Sequence, residues 1–118
     1  MVTVEHVRRI ALALPRTTEH LIRDRVKFRV GRIVYLALSR DETTMGFAFP
    51  REERAAQLAA EPGTFLPPEP ADERFNWLNL RLGAVDEREL EAIVVQAWRM
   101  VVPKRLYAET IHSGQCGA

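Results

Sequence analysis

The chain has 118 residues, with 17 basic and 16 acidic side chains and a formal net charge of +1. That length suits one domain with one core, because domains commonly run about 100–150 residues, and the 47 % hydrophobic and 28 % charged fractions exclude wholesale disorder. Near-neutrality excludes a protein that coats nucleic acid or an anionic membrane by bulk charge alone.

Thr3 can cap a first helix in which Val7, Ile10, Ala11 and Leu14 recur at helical spacing, and Pro15 stops it near Leu14. Residues 16–24 read as a linker. Val26, Phe28 and Val30 then alternate with Arg25, Lys27 and Arg29, which predicts a half-buried strand with a basic outer face. Gly31 and Arg32 form a two-residue connection suited to a tight hairpin. Residues 33–38 are apolar on both faces, as in a more central strand. After a turn, residues 43–49 alternate again, with Met45, Phe47 and Phe49 toward the core and Pro50 at the end.

Residues 51–61 predict a short helix with Ala55, Leu58 and Ala59 inward. Pro62, Gly63, Pro67, Pro68 and Pro70 make the next stretch a loop or edge strand. Residues 75–82 form another strand, with Leu78, Leu80 and Leu82 in the core and Trp77, Asn79 and Arg81 on the other face. Asp86 followed by Glu89 is a helix-start box, and Leu90, Ile93, Val94, Ala97, Trp98 and Val101 continue it as an apolar stripe. Pro103 ends or bends that helix. Residues 1–106 thus make the domain, with residues 107–118 a loosely held tail. The architecture expected is α+β and two-layered: an antiparallel sheet of four to five strands with helices on one face.

The only cysteine, Cys116, permits neither an intramolecular disulfide nor a cysteine zinc cage. Apolar runs such as Ile33–Leu38 fall far short of the roughly 20 residues of a membrane helix. Glu5, His6, Arg8 and Arg9 interrupt the N-terminal apolar residues, so no signal peptide is expected and the cytoplasm is the expected location.

Several pieces in order carry a family resemblance: Val7-Arg8-Arg9-Ile10-Ala11-Leu12-Ala13-Leu14-Pro15 with Thr18-Glu19 behind it, the hairpin Phe28-Arg29-Val30-Gly31-Arg32-Ile33-Val34, the strand around Trp77, and Ala97-Trp98-Arg99-Met100-Val101-Val102-Pro103-Lys104-Arg105-Leu106. Together they resemble the MmcQ/YjbR family of small bacterial proteins. The resemblance implies the element order α-β-β-β-α-β-β-α in a two-layer fold similar to that of type III secretion chaperones. It also implies DNA binding, the usual description of the family. This chain departs from the family pattern at His20-Leu21-Ile22-Arg23-Asp24 and at Arg74-Phe75-Asn76, so contacts made by those loops do not carry over.

Charge is distributed unevenly. Residues 16–32 hold six basic and two acidic side chains, a local balance of +4, whereas residues 33–91 balance to −6. Alternate side chains of a strand lie about 6.6–6.8 Å apart, near twice the ~3.4 Å rise per phosphate of one DNA strand. Arg23, Arg25, Lys27, Arg29 and Arg32 are therefore expected to contact phosphates of duplex DNA, unless they form only the solvated face of an edge strand. Trp77 beside Arg81 offers a stacking surface, or is ordinary core if a loop covers it. Lys104 and Arg105 either touch phosphates or cap the last helix.

No catalytic function is expected. His6, His20 and His112 lack metal-binding spacing, Ser39 and Ser113 lack a nucleophile-elbow surround, and Glu19 with His20 is the one weak constellation. No cofactor or metal is expected. The alternative function is a protein-interaction module that presents the ribbon or the Trp77 strand to an acidic partner. A third possibility is a small-ligand pocket between sheet and helices, for which the sequence gives no polar signature. A monomer is the expected state.

Overall fold

The computed structural model describes residues 2–106. The first helix, α1 (Val4–Leu12), leads into four consecutive strands: β1 (Thr17–Ile22), β2 (Arg25–Val30), β3 (Ile33–Leu38) and β4 (Thr44–Ala48). A 3-10 turn and α2 (Arg54–Ala60) follow, then β5 (Phe65–Leu66), β6 (Trp77–Arg81) and α3 (Glu87–Arg99). The six strands form one sheet in the order β1-β2-β3-β4-β6-β5, with every neighbour antiparallel. The α+β expectation holds, with one strand more than the four to five predicted.

The additional strand is β1, which lies where a linker was expected. On the face it shares with Val30, Phe28 and Val26 it carries Thr17, Glu19 and Leu21, the last of them exposed near the strand's end. A carboxylate in the middle of that set erases the apolar alternation that marks a strand. Glu19 is tolerated there because Arg8 of α1 grips it, Nε donating at 2.8 and 3.0 Å and Nη2 at 2.9 Å. Arg8 also donates to Glu5, and these carboxylates push its pKa further up. The β1–β2 turn places both Arg23 and Asp24 at positive φ, 52° and 66°, as a type I′ hairpin requires. The β2–β3 turn uses Gly31 at φ 60°, as its sequence suggests.

The core face is built in rows across the strands. Phe28, Leu36, Phe47 and Leu78 lie side by side on β2, β3, β4 and β6. Leu38, Met45, Leu80 and Phe65 form the next row. All eight are buried. Val7 and Ala11 of α1 and Leu90, Val94, Ala97 and Trp98 of α3 cover this face. The box predicted for α3 is present: Glu89 N donates to Asp86 Oδ1 at 2.8 Å, and Asp86 N donates to Glu89 Oε1 at 3.2 Å. The second helix is more peripheral than its pattern suggests. Ala55 and Ala59 are exposed and only Leu58 of the three is half-buried, because α2 lies at the edge of the sheet, beside the short β5 and the start of β6.

Tyr35 is an irregularity with a measurable consequence. It is the unpaired residue of a bulge in β3, since Phe28 pairs with Leu36 while Arg29 pairs with Val34. Its hydroxyl is 2.7 Å from Thr17 Oγ1, and burial pushes its pKa up to about 12 against the opposing effect of that hydrogen bond. The folded protein therefore holds this proton when the unfolded chain has lost it. Stability is fully present below about pH 10, the ordinary tyrosine pKa, and declines toward pH 12 by about 2 kcal/mol. Tyr35→Phe should remove that component of the alkaline decline, read from urea midpoints between pH 9 and pH 12, a window set at about the two pKa values.

Candidate nucleic-acid interface

The face of the sheet away from α1 and α3 carries the functional lead. Small side chains occupy its centre: Ala37 on β3 pairs with Gly46 on β4, and Ala48 pairs with Trp77 on β6. The Trp77 indole lies over Gly46, where an added Cβ would sit 2.5 Å from Nε1 and 2.7 Å from Cζ2. Trp77 is half-buried in this position, neither projecting freely nor fully covered.

A groove results. One part, of about 590 Å³, is lined by Arg25, Lys27, Trp77, Phe75 and Asp72, with Met100 at its end. A second part, of about 650 Å³, shares Arg25, Ala37, Trp77 and Asp72 and continues past Arg40, Asp41, Glu69 and Asn79. Arg25 and Lys27 stand on β2, two strands or about 10 Å from β4. Arg25 Nε donates to Leu38 O at 2.9 Å, which anchors the guanidinium at the groove. The facing wall is the segment before β6, and α2 holds it. Arg54 donates to the carbonyls of Glu73, Phe75 and Trp77 at 2.8, 3.2 and 3.1 Å. Arg51 donates to the carbonyl of Arg74 at 2.6 Å, and its backbone N donates to Asn76 Oδ1 at 3.0 Å.

The residues singled out in the sequence are not all brought together. Arg25, Lys27 and Trp77 meet at the groove. Arg29 sits further along β2, its Nη2 3.1 Å from both ring nitrogens of His20. Arg23 and Arg32 are exposed in the turns at opposite ends of β2. Arg81 shares the outer face but stands at the far end of β6, about 13 Å along the strand from Trp77, in a depression with Asp41 and Glu42. The expected adjacency of Arg81 to Trp77 is thereby corrected. Lys104 and Arg105 are exposed beyond Pro103, five and six positions past the end of α3. Glu19 and His20 point to opposite faces of β1, Glu19 to Arg8 and His20 to Arg29, so the one catalytic constellation considered does not form. Cys116, His112 and Ser113 lie outside the described residues.

Sequence reasoning placed Asn79 on this face without giving it a role, and it missed Arg40, Ile33 and Met100 at the groove. A glycine inside an otherwise regular strand signals close approach by another group, and Gly46 is such a residue. Among the described residues, no three of His, Cys, Asp and Glu gather as a metal site.

A family model described as YjbR matches residues 12–100. No curated protein matches the chain. The crystal structure of Deinococcus radiodurans protein DR2400, with family-model domain DUF419, is similar over 92 % of this chain and 88 % of its own, at 20 % identity and a TM-score of 0.75. At that identity the likeness concerns the fold alone.

Proposed function

The chain belongs to the YjbR family, and from that footing we propose that it is a DNA-binding protein without catalytic activity that holds phosphates along β2. The observation that carries this is the pair Arg25 and Lys27, half-buried side by side at a groove whose floor includes an indole. Arg23 and Arg32 extend the same line of positive charge at the two ends of the strand. The spacing along β2 matches about two phosphate steps per outward side chain. The protein would act as a monomer in the cytoplasm. No helix among the described residues is long and apolar enough to cross a membrane.

Affinity measured against salt tests this. Four phosphates neutralised on a duplex give a log–log slope of about −3.6. Replacing Arg25 and Lys27 together by glutamine should flatten it by about 1.8 and weaken binding to every sequence alike. A salt-independent affinity, or one unchanged in the double variant, would contradict the proposal.

One observation favours a second reading, a protein-interaction module using the same face. Ile33, Phe75 and Met100, exposed by 55 %, 50 % and 40 %, all line the groove. A partner of this kind would stay bound after nuclease treatment, whereas nucleic acid would not.

A further inference from the structure

We infer that the groove takes an unpaired strand, with one base against the Trp77 indole and the adjoining phosphates on Arg25 and Lys27. This deepens the nucleic-acid reading above and depends on it.

The first ground is the position of Trp77. A side chain that reads a base pair must project into a duplex groove, but this indole lies back over Gly46 on the floor of a depression. A paired base cannot descend to it. An unpaired base can, because Ala37, Gly46 and Ala48 leave the centre of the sheet low.

The second ground is the shape of the positive surface. Arg25 and Lys27 form one wall, while Asp72 faces them and Glu69 and Asp41 follow along the groove. The cations thus make a strip bordered by carboxylates. A duplex laid across the face brings its second phosphate row toward those carboxylates, whereas a single strand can run along β2 and keep clear of them.

The third ground is a second aromatic surface at the rim. Phe75 is half-exposed, with the Arg74 guanidinium 4.8 Å from its ring centroid. Aromatic rings beside a line of cations are the means by which single strands are held without sequence reading. The Arg54 hydrogen bonds to the Phe75 and Trp77 carbonyls hold the backbone that carries the two rings, which makes Arg54 a positioning residue.

The test compares an oligothymidylate of about 12 nucleotides, a length within the range such sites cover, with a duplex of the same length. Affinities of all variants are read from the anisotropy of a dye-labelled oligonucleotide, and tryptophan fluorescence of the wild-type protein reports the ring. Trp98 is 1 % exposed and shielded from a ligand, so quenching reports Trp77. The expected result is tighter binding of the single strand, with quenching, and a loss of roughly 5- to 150-fold in Trp77→Leu. Trp77→Phe should recover most of that loss, and Arg54→Met, which keeps Trp77, should weaken single-strand binding and reduce its quenching. Equal or tighter duplex binding that ignores Trp77→Leu yet falls in the Arg25/Lys27 double variant overturns the single-strand inference and leaves the phosphate reading standing. Absence of binding to either nucleic acid overturns both. Thermal melts of each variant establish that it is folded.

Discussion

Trp98→Ala is expected to lower the unfolding free energy by about 3–5 kcal/mol, as the midpoint shift in urea at an unchanged m-value. Trp98 is among the largest fully buried side chains of the fold, on the face of α3 turned to the sheet. It also ties distant parts of the chain together, since its Nε1 donates to the Pro15 carbonyl at 2.9 Å. Truncation opens a cavity in the core cluster that α1 and α3 share with the sheet, and it removes the donor from a carbonyl in the connection between α1 and β1. Against a typical total of about 5–15 kcal/mol, one such substitution takes a large share. Trp98→Phe separates the two effects: it keeps most of the volume and should cost about 1–3 kcal/mol. A loss below about 1 kcal/mol for Trp98→Ala would mean that α3 does not seat this ring as described.

Gly46→Ala is the second large effect, and it acts through space and not through backbone conformation. The new methyl group would lie 2.5 Å from Trp77 Nε1 and 2.8 Å from Asn79 Oδ1, so the indole must leave its seat. Overpacking of this kind costs about 1–3 kcal/mol. The same displacement lifts the floor of the groove, so affinity for the oligonucleotide should fall together with stability. A double-mutant cycle with Trp77→Ala isolates the contact. The penalty of the glycine substitution should shrink by about 0.5–3 kcal/mol when the indole is absent, leaving the part due to Asn79. An equal penalty in both backgrounds would contradict the placement of Trp77 over β4.

Much of this architecture is legible in the residues because local signals and burial agree. Gly31 supplies the turn of the β2–β3 hairpin, Leu78 and Leu80 share a buried face, and Asp86 with Glu89 opens α3. β1 is hidden for a definite reason. Its inward row contains Glu19, which is stable there only because Arg8, from a different element, is waiting for it. Pattern-reading within one segment has no access to that partner. The alanines of α2 mislead in the opposite sense, having helical spacing but no neighbour to bury them.

The candidate site divides along the same line. The basic alternation of Arg25 and Lys27 is a local property and is readable. The groove is not, because it depends on Trp77 returning over Gly46 from beyond a helix and a proline-rich loop. The acidic border has the same origin: Asp72 and Glu69 belong to that loop and reach the cations only through the sheet order β4-β6-β5.

The most direct measurement is a nuclear magnetic resonance titration of the labelled protein with the single-stranded oligonucleotide. The shifts should concentrate on the amides of Arg25, Lys27, Ala37 and Gly46 and on the Trp77 indole N–H, all at the groove, and should leave α1 and α3 still. Shifts centred on α1 or α3, or no shifts at oligonucleotide excess, would contradict the claim that the open face of the sheet binds nucleic acid.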